Sequence, residues 1–344
     1  MFNAPDQRNS IQIADRAHAR LVDGGQISVY HSKLRIRGEI VVAGNLVEDI
    51  LVRPVERIEY GFTVWVDSIE QHLGGNGANT SYALATLGVP VRLRGAVGRD
   101  DFGDRVLARL RGAGVNIEEV ERMPLATATT VVLVAPDGSR SFLHSPGVSR
   151  EVFSTPGKFG AGPGHFHLAN IFSLPKMRRT GAETLARAVA AGWTTSLDTG
   201  HDTRGEWMGV LEPCLRNTGI LFANEAEALK ISGCADARSA ARLFLDRGVN
   251  TVVIKRGSAG CVVFHQAGEV WARGFTVDTV DTTGAGDCFT GGFLAGLYMD
   301  ETLQDAARLG NACGALSASR MGSVAGLRGY RETLEWAAES TKGT

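Results

Sequence analysis

The chain has 344 residues, 44% hydrophobic and 21% charged, which is enough to bury a full core and typical of a soluble globular protein rather than a disordered one. A formal net charge of -1 gives no reason to expect nucleic acid or an anionic membrane as partner. The five cysteines (Cys214, Cys234, Cys261, Cys288 and Cys313) form no CxxC pair, which argues against a disulfide framework or a zinc site and fits a reducing cytoplasm.

Residues 1–38 are polar and weakly periodic, and they read as an N-terminal extension with a helix near Ile13 to Val22. Asp6, Arg8, Asp15 and Arg16 are followed by no apolar h-region, so no signal peptide is expected, and no apolar run reaches membrane-spanning length. From Glu39 onward the pattern is that of one domain, 39–344. A buried strand is predicted over Glu39 to Gly44, then helix Asn79 to Leu87, strand Val91 to Val97 and helix Phe102 to Ala113. Strand His165 to Asn170, helix Lys176 to Ala191, strand Thr194 to Asp198, helix Glu206 to Leu215 and strand Gly219 to Ala223 follow. Helix Ser239 to Arg247 precedes strands Thr251 to Lys255 and Cys261 to Phe264, and after helix Cys288 to Met299 the tail from Leu303 to Ala338 is mostly helical. Alternation of strands and helices predicts an α/β fold, a parallel sheet covered on both faces. Two stretches, 52–73 and 129–145, alternate like exposed strands, and the second holds the hairpin signal Asp137-Gly138. They predict a small β layer, either a lid that excludes water from a pocket or an ordinary edge hairpin.

Four motifs carry chemistry. Asp281-Thr282-Thr283-Gly284-Ala285-Gly286-Asp287 feeds a helix start, where free N–H groups and the helix dipole favour an anion. A carboxylate there, Asp287, makes sense as a base acting on a substrate hydroxyl while the backbone holds a phosphoryl group; the competing reading is a helix N-cap. Gly74-Gly75-Asn76-Gly77-Ala78-Asn79 offers close backbone approach and two amides, or is a capped turn; neither it nor the Gly284 run has the third glycine of a dinucleotide fingerprint, and no GxxxxGK[ST] exists. Asn224-Glu225-Ala226-Glu227 follows a strand end, where carboxylates can hold Mg²⁺ through water or simply cap a helix. Lys255-Arg256-Gly257-Ser258-Ala259-Gly260 is a turn between strands that could cradle a triphosphate. His165 and His167 face one way on a strand as a metal pair or, without a third ligand, as structural histidines, while Arg178-Arg179 read as a solvated helix face.

These four motifs occur in the order found in the ribokinase-like (PfkB) carbohydrate kinases, and the chain resembles that family from about Glu39 to the C-terminus. The resemblance implies a doubly wound, mainly parallel α/β domain with helices on both faces and a small β-sheet lid. It implies Asp287 as general base and Gly284, Ala285 and Gly286 as an anion hole. Asn224 and Glu227 would organise Mg²⁺ and phosphate through water, Lys255, Gly257 and Gly260 would lie along ATP, and Asn311 falls on the adenine side. Asp281 and Thr283 would build a monovalent-cation site, as in potassium-activated members. On the sugar side, Asp49, Gly75, Asn76, Asn79 and Asn170 would grip hydroxyls. Ribokinase itself has Lys in place of Asn76 and Glu at about the position of Asn170, so ribose is not implied. Asp198-Thr-Gly-His-Asp202 likewise replaces an acidic-Pro-Asn arrangement.

The expected activity is in-line transfer of the ATP γ-phosphoryl group to a primary hydroxyl of a small sugar. The alternatives are a nucleoside kinase, with Phe62, Trp65 and Phe172 sandwiching a base, and a non-catalytic sugar-binding sensor. The exposed lid could also pair two copies into a homodimer.

Overall fold

Short runs rich in Val, Ile, Leu and Phe, bounded by Gly and polar residues, become the buried strands of a computed structural model that describes residues 34–340. The helix expected near Ile13 to Val22 lies outside the described residues. In chain order the strands are β1 (Glu39–Ala43), β2 (Val47–Arg53), β3 (Ser68–Gly74), β4 (Val91–Gly98), β5 (Val120–Met123), β6 (Ala128–Val134) and β7 (Arg140–Ser145). They continue with β8 (Gly164–Ala169), β9 (Thr194–Asp198), β10 (Ile220–Asn224), β11 (Thr251–Lys255), β12 (Cys261–His265) and β13 (Gly268–Ala272). The helices are α1 (Asn76–Thr86), α2 (Asp101–Gly112), α3 (Met177–Ala190), α4 (Met208–Leu215), α5 (Glu225–Ser232), α6 (Ala237–Asp246), α7 (Ala285–Tyr298), α8 (Leu303–Ala318) and α9 (Tyr330–Ser340).

Nine strands form the main sheet in the order β13-β12-β11-β10-β9-β8-β1-β4-β5. All pairs from β11 to β5 are parallel, and the β12–β13 hairpin closes one edge antiparallel. The chain winds from β1 to β5 in one direction and from β8 onward in the other, so the strand order reverses beside β1. In such sheets ligands bind at the carboxyl ends of the strands near that reversal. Strand alternation gives each face its own core. Phe166, Leu168, Leu197, Leu221 and Val252 pack with Leu185, Leu211, Ile231 and Phe244 of α3 to α6. Phe222 points the other way and meets Phe293 of α7, ring centroids 5.4 Å apart.

The expected β layer is a separate sheet, β3-β2-β6-β7. Asp137 Oδ1 accepts the Ser139 N–H at 2.9 Å in the turn between β6 and β7, where Gly138 takes φ +82. The first predicted lid stretch is only partly strand: β2 starts before it, and residues 54–67 between β2 and β3 are not strand. Two helices begin three residues earlier than their apolar periodicity suggests. The α1 start is set from outside, because Asn45 Oδ1 accepts the Asn76 N–H at 2.9 Å. The α7 start is set by Gly284 at φ 75, which turns the chain into the helix.

Candidate active site

Five sheet strands deliver polar side chains to one end: Asn45 after β1, Asn170 after β8, Asp198 from β9, Asn224 from β10 and Lys255 from β11. The α7 N-terminus meets them there. Asp287, in its first turn, is 9% exposed and lines a cavity of about 530 Å³. Asn76 Nδ2 donates to its Oδ1 at 2.8 Å, and Asn79 Nδ2 donates to its Oδ2 at 3.0 Å. Each amide has a further partner. Asn170 Nδ2 donates to Asn76 Oδ1 at 3.0 Å, and the one hydroxyl proton of Ser323 Oγ lies within reach of both Asn79 Oδ1 at 2.8 Å and Leu73 O at 2.6 Å. Asn170 adopts φ 67, a left-handed conformation that Asn tolerates, and its Oδ1 accepts the N–H groups of Phe172 and Ser173. Burial pushes the Asp287 carboxyl above its usual range, against the pull of the two amides and with Asp198 adding to the rise. The carboxyl therefore holds its proton more readily than an ordinary one.

Gly284 allows this geometry. A Cβ there would sit 2.4 Å from Ser323 Cβ and 2.9 Å from Asn79 Nδ2. Gly286 N–H, in the first turn, has no intrahelical acceptor, whereas Ala285 N–H donates to Thr282 O at 3.2 Å. Lys255 Nζ lies 3.4 Å from where a Cβ on Gly286 would stand, so an ammonium flanks the helix start. It donates to Asp198 Oδ2 at 2.7 Å, which also accepts from Thr290 Oγ1 at 2.9 Å. Burial works against the Lys255 charge, but the carboxylates of Asp198 and Glu227 outweigh it and hold its pKa above the usual value.

The rest of the cavity wall includes Asn224, Glu227, Gly257, Gly260 and Asn311. Asn224 and Glu227 form a reciprocal cap: Asn224 Oδ1 accepts the Glu227 N–H at 2.8 Å, and Glu227 Oε2 accepts the Asn224 N–H at 3.0 Å. Thr199 Oγ1 also donates to Glu227 Oε2, at 3.1 Å. The capping reading of this motif is therefore true, and the cap also orients a carboxylate beside the cavity. Gly260 takes φ +93, and a Cβ on it would come within 2.1 Å of Ala272 O. Asn311 Nδ2 donates to the carbonyls of Ala272 and Arg273, both at 3.0 Å, and so ties α8 to the end of β13.

Asp49, Gly75, Asn79 and Asn170 are not among the residues lining that cavity. Gly75 is the N-cap of α1 at φ 95. Asp49 lies in the lid sheet, 7% exposed, in register with His72 on β3 and Thr130 on β6, and Thr130 pairs in turn with His144 on β7. Burial pushes the Asp49 carboxyl up to about 7, with the charges of Asp281, Glu48 and Asp287 adding and a Thr130 hydrogen bond opposing. Glu48 points to the other side of β2, fully buried, and pairs with Arg109 at 2.7 Å.

Asp281 and Thr283 sit in the turn before Gly284. Asp281 Oδ1 accepts the Thr283 N–H at 2.9 Å, and its Oδ2 accepts the Gly322 N–H at 3.1 Å. Arg140, the first residue of β7, places Nη1 3.0 Å from Asp281 Oδ1.

Residues 38–328 match the pfkB family carbohydrate kinase. The chain belongs to the pfkB family of carbohydrate kinases. An ATP-dependent ribose-1-phosphate kinase of Halopiger xanaduensis is 35% identical over 288 residues, covering 83% of this chain and 93% of that protein. Fructokinase-2 of Zea mays is 30% identical, covering 74% and 82%. The structure of Arabidopsis thaliana ribokinase complexed with ribose and ATP superposes with a TM-score of 0.77 at 24% identity over 87% of this chain and 98% of that one, which establishes the shared fold. This pfkB kinase is thus an ATP-dependent phosphotransferase with the ribokinase architecture.

One sequence reading changes in part. Arg179 is exposed, but the Arg178 side chain is 4% exposed and pairs with Asp202 at 2.9 Å, which explains the acidic residue at the end of the unusual Asp198 to Asp202 run. Phe62 and Trp65 are exposed, Phe172 is buried against Trp207, and none of the three lines the cavity, which is equally true of Asp49, Gly75, Asn79 and Asn170. His165 and His167 are fully buried, share Ser196 Oγ at 2.7 and 2.8 Å, and are held neutral by burial, with pKa values of about 3. Among the described residues no cluster of three or more His, Cys, Asp or Glu could hold a metal ion. Sequence reasoning missed Asn45, Arg140, Thr290 and Ser323. Thr290 had a signal, because position i+3 from Asp287 shares its helix face; the others reach the site only through tertiary contacts.

Proposed function

We propose that the protein transfers the γ-phosphoryl group of ATP to a primary hydroxyl of a small sugar, with Asp287 as general base. The observation that supports this most directly is a carboxylate in the first turn of a helix, at a cavity wall, with both oxygens held by the amides of Asn76 and Asn79. The acceptor hydroxyl gives its proton to Asp287 as its oxygen attacks phosphorus, and the bond to the ADP oxygen breaks on the opposite side. The Gly284–Gly286 backbone and the α7 dipole take up the charge on the phosphoryl oxygens, and Lys255 adds a full positive charge beside Gly286. Thr290 and Asp198 hold that ammonium in place.

ATP lies along Lys255, Gly257 and Gly260 toward Asn311 in this reading. The oriented Glu227 carboxylate suits a Mg²⁺ held partly through water and partly by phosphate oxygens. When bound, that ion would screen the phosphate charge. In this reading Asp49, from the lid sheet, and Gly75, Asn76, Asn79 and Asn170, from the α/β body, grip sugar hydroxyls. The exposed lid side chains Ile69, Phe142 and Leu143 suit a homodimer through the lid, and five free cysteines suit a reducing cytoplasm. Among the described residues no helix is long and apolar enough to cross a membrane. The 1–38 segment stands as an extension to a 39–344 kinase domain. ADP release measured across free sugars, sugar phosphates and nucleosides tests the assignment. Turnover of a sugar supports it, turnover of nucleosides alone replaces it with a nucleoside kinase, and ligand binding without turnover replaces it with a sensor.

A further inference from the structure

Asp281 is 1% exposed, and a carboxylate buried that deeply needs a positive charge close by. The family resemblance assigns that charge to a bound monovalent cation. Here a side chain supplies it. Besides the 3.0 Å contact with Asp281 Oδ1, Arg140 Nη2 donates to Val280 O at 2.9 Å and Nη1 lies 3.4 Å from Thr282 Oγ1. One guanidinium thus grips three consecutive residues of the turn that leads into Gly284. Both ends are shielded, with side chains 13% and 2% exposed. Arg140 Nε is buried with no hydrogen-bond partner among the described residues, as if the fork were placed for its Nη groups alone.

We propose that Arg140 is a built-in replacement for the activating monovalent cation, so that this kinase works without potassium. A free cation entering this turn would approach a guanidinium already paired with the carboxylate, and the like charges would repel. The replacement also changes connectivity. A free ion belongs to no element, whereas Arg140 belongs to β7, so the lid sheet is linked to the turn that presents the anion hole. Arg140 is a positioning residue: it acts on the phosphoryl site through Asp281 and the backbone of the turn.

The proposal rests on the kinase reading, and its test separates the two. The whole protein is assayed in chloride salts of potassium, sodium and tetramethylammonium at equal ionic strength. Equal wild-type kcat in all three, within about twofold, is expected; a fall of about tenfold or more in tetramethylammonium overturns the proposal. Arg140→Ala should lose about tenfold or more in kcat in tetramethylammonium and regain part of it in potassium or guanidinium salts, while Arg140→Lys should lose less. A folded Arg140→Ala enzyme that keeps wild-type kcat in tetramethylammonium, or one that no cation restores, also overturns it. Thallium NMR gives a readout independent of turnover: saturable binding to wild type refutes the proposal, and binding acquired only by Arg140→Ala supports it. Should no sugar be turned over, the kinase reading fails while the thallium result still decides this one.

Discussion

Replacing Asp287 with Asn keeps the shape of the side chain and removes its ability to take a proton. The carboxylate now accepts one N–H from each of two amides. An Asn side chain has one acceptor oxygen, so its NH₂ group must face the NH₂ of Asn76 or of Asn79. Asn76 cannot turn over freely, because Asn170 holds its Oδ1; Asn79 can, because the Ser323 hydroxyl can give its one proton to Leu73 O at 2.6 Å and accept from the turned amide. The conflict therefore costs at most about 1 kcal/mol, the value of one lost hydrogen bond. Removing a buried charge that faces Asp198 offsets it, so folding stability should change by no more than about 1 kcal/mol. The kinetic effect is much larger. General-base catalysis contributes about 10²–10⁴ in rate, or about 2.7–5.5 kcal/mol in the barrier. ADP release at saturating sugar should therefore show kcat lower by that factor, with KM changed by less than about threefold. The wild-type acid limb should also appear above the usual carboxylate range, because burial raises the Asp287 pKa and only the deprotonated form accepts the proton. Asp287→Asn should abolish that limb. A variant that folds and keeps kcat within about tenfold of wild type would refute the base assignment.

Asp49→Asn should remove a pH-dependent strain. The folded-state pKa of about 7 lies above the ordinary value of 3.8, so wild-type stability is fullest in acid and falls as pH rises through about 7; by 1.36 kcal/mol per unit the loss is at most of the order of ~4 kcal/mol. Urea unfolding near pH ~5 and ~8 should show that slope in wild type and not in the variant; equal slopes would contradict the burial argument. Arg109→Met leaves Glu48, fully buried, with only Arg105 at 3.6 Å. It should destabilise the lid junction by about 3–5 kcal/mol, with part recovered on adding Glu48→Gln; a cost under about 1 kcal/mol would show that Arg105 suffices. Gly284→Ala forces a side chain into φ 75 and against Ser323. Thermal melting should show a loss above the ~1–2 kcal/mol of the left-handed backbone alone, and Ser323→Gly should restore only the steric part.

The fold class was legible because strand and helix periodicities alternate with little noise from Glu39 onward. The site was legible where it is built from contiguous residues. Asn76 and Asn79 share one helix end, and Gly284 to Asp287 is a turn followed by a helix, so local chemistry suggested an anion beside a base, with a helix N-cap as the competing reading. Two short-range readings were incomplete. Helices α1 and α7 begin before their apolar stripes because Asn45 and the Gly284 turn set their starts. Arg178 looked solvated because its partner Asp202 is 24 residues away.

Local sequence determined the pieces of the proposed site: one carboxylate at a helix start, the glycines of the turn before it, and the amides of α1. Tertiary structure decided what surrounds them. It put Lys255 beside Gly286, turned a capping box toward the cavity, and brought Arg140 from a lid strand to Asp281, 141 residues later in the chain (281 minus 140). Backbone geometry and capping act over a few residues and leave a pattern in the sequence. Charge compensation acts through space between residues far apart in the chain, and only the folded chain shows which cation meets which buried carboxylate.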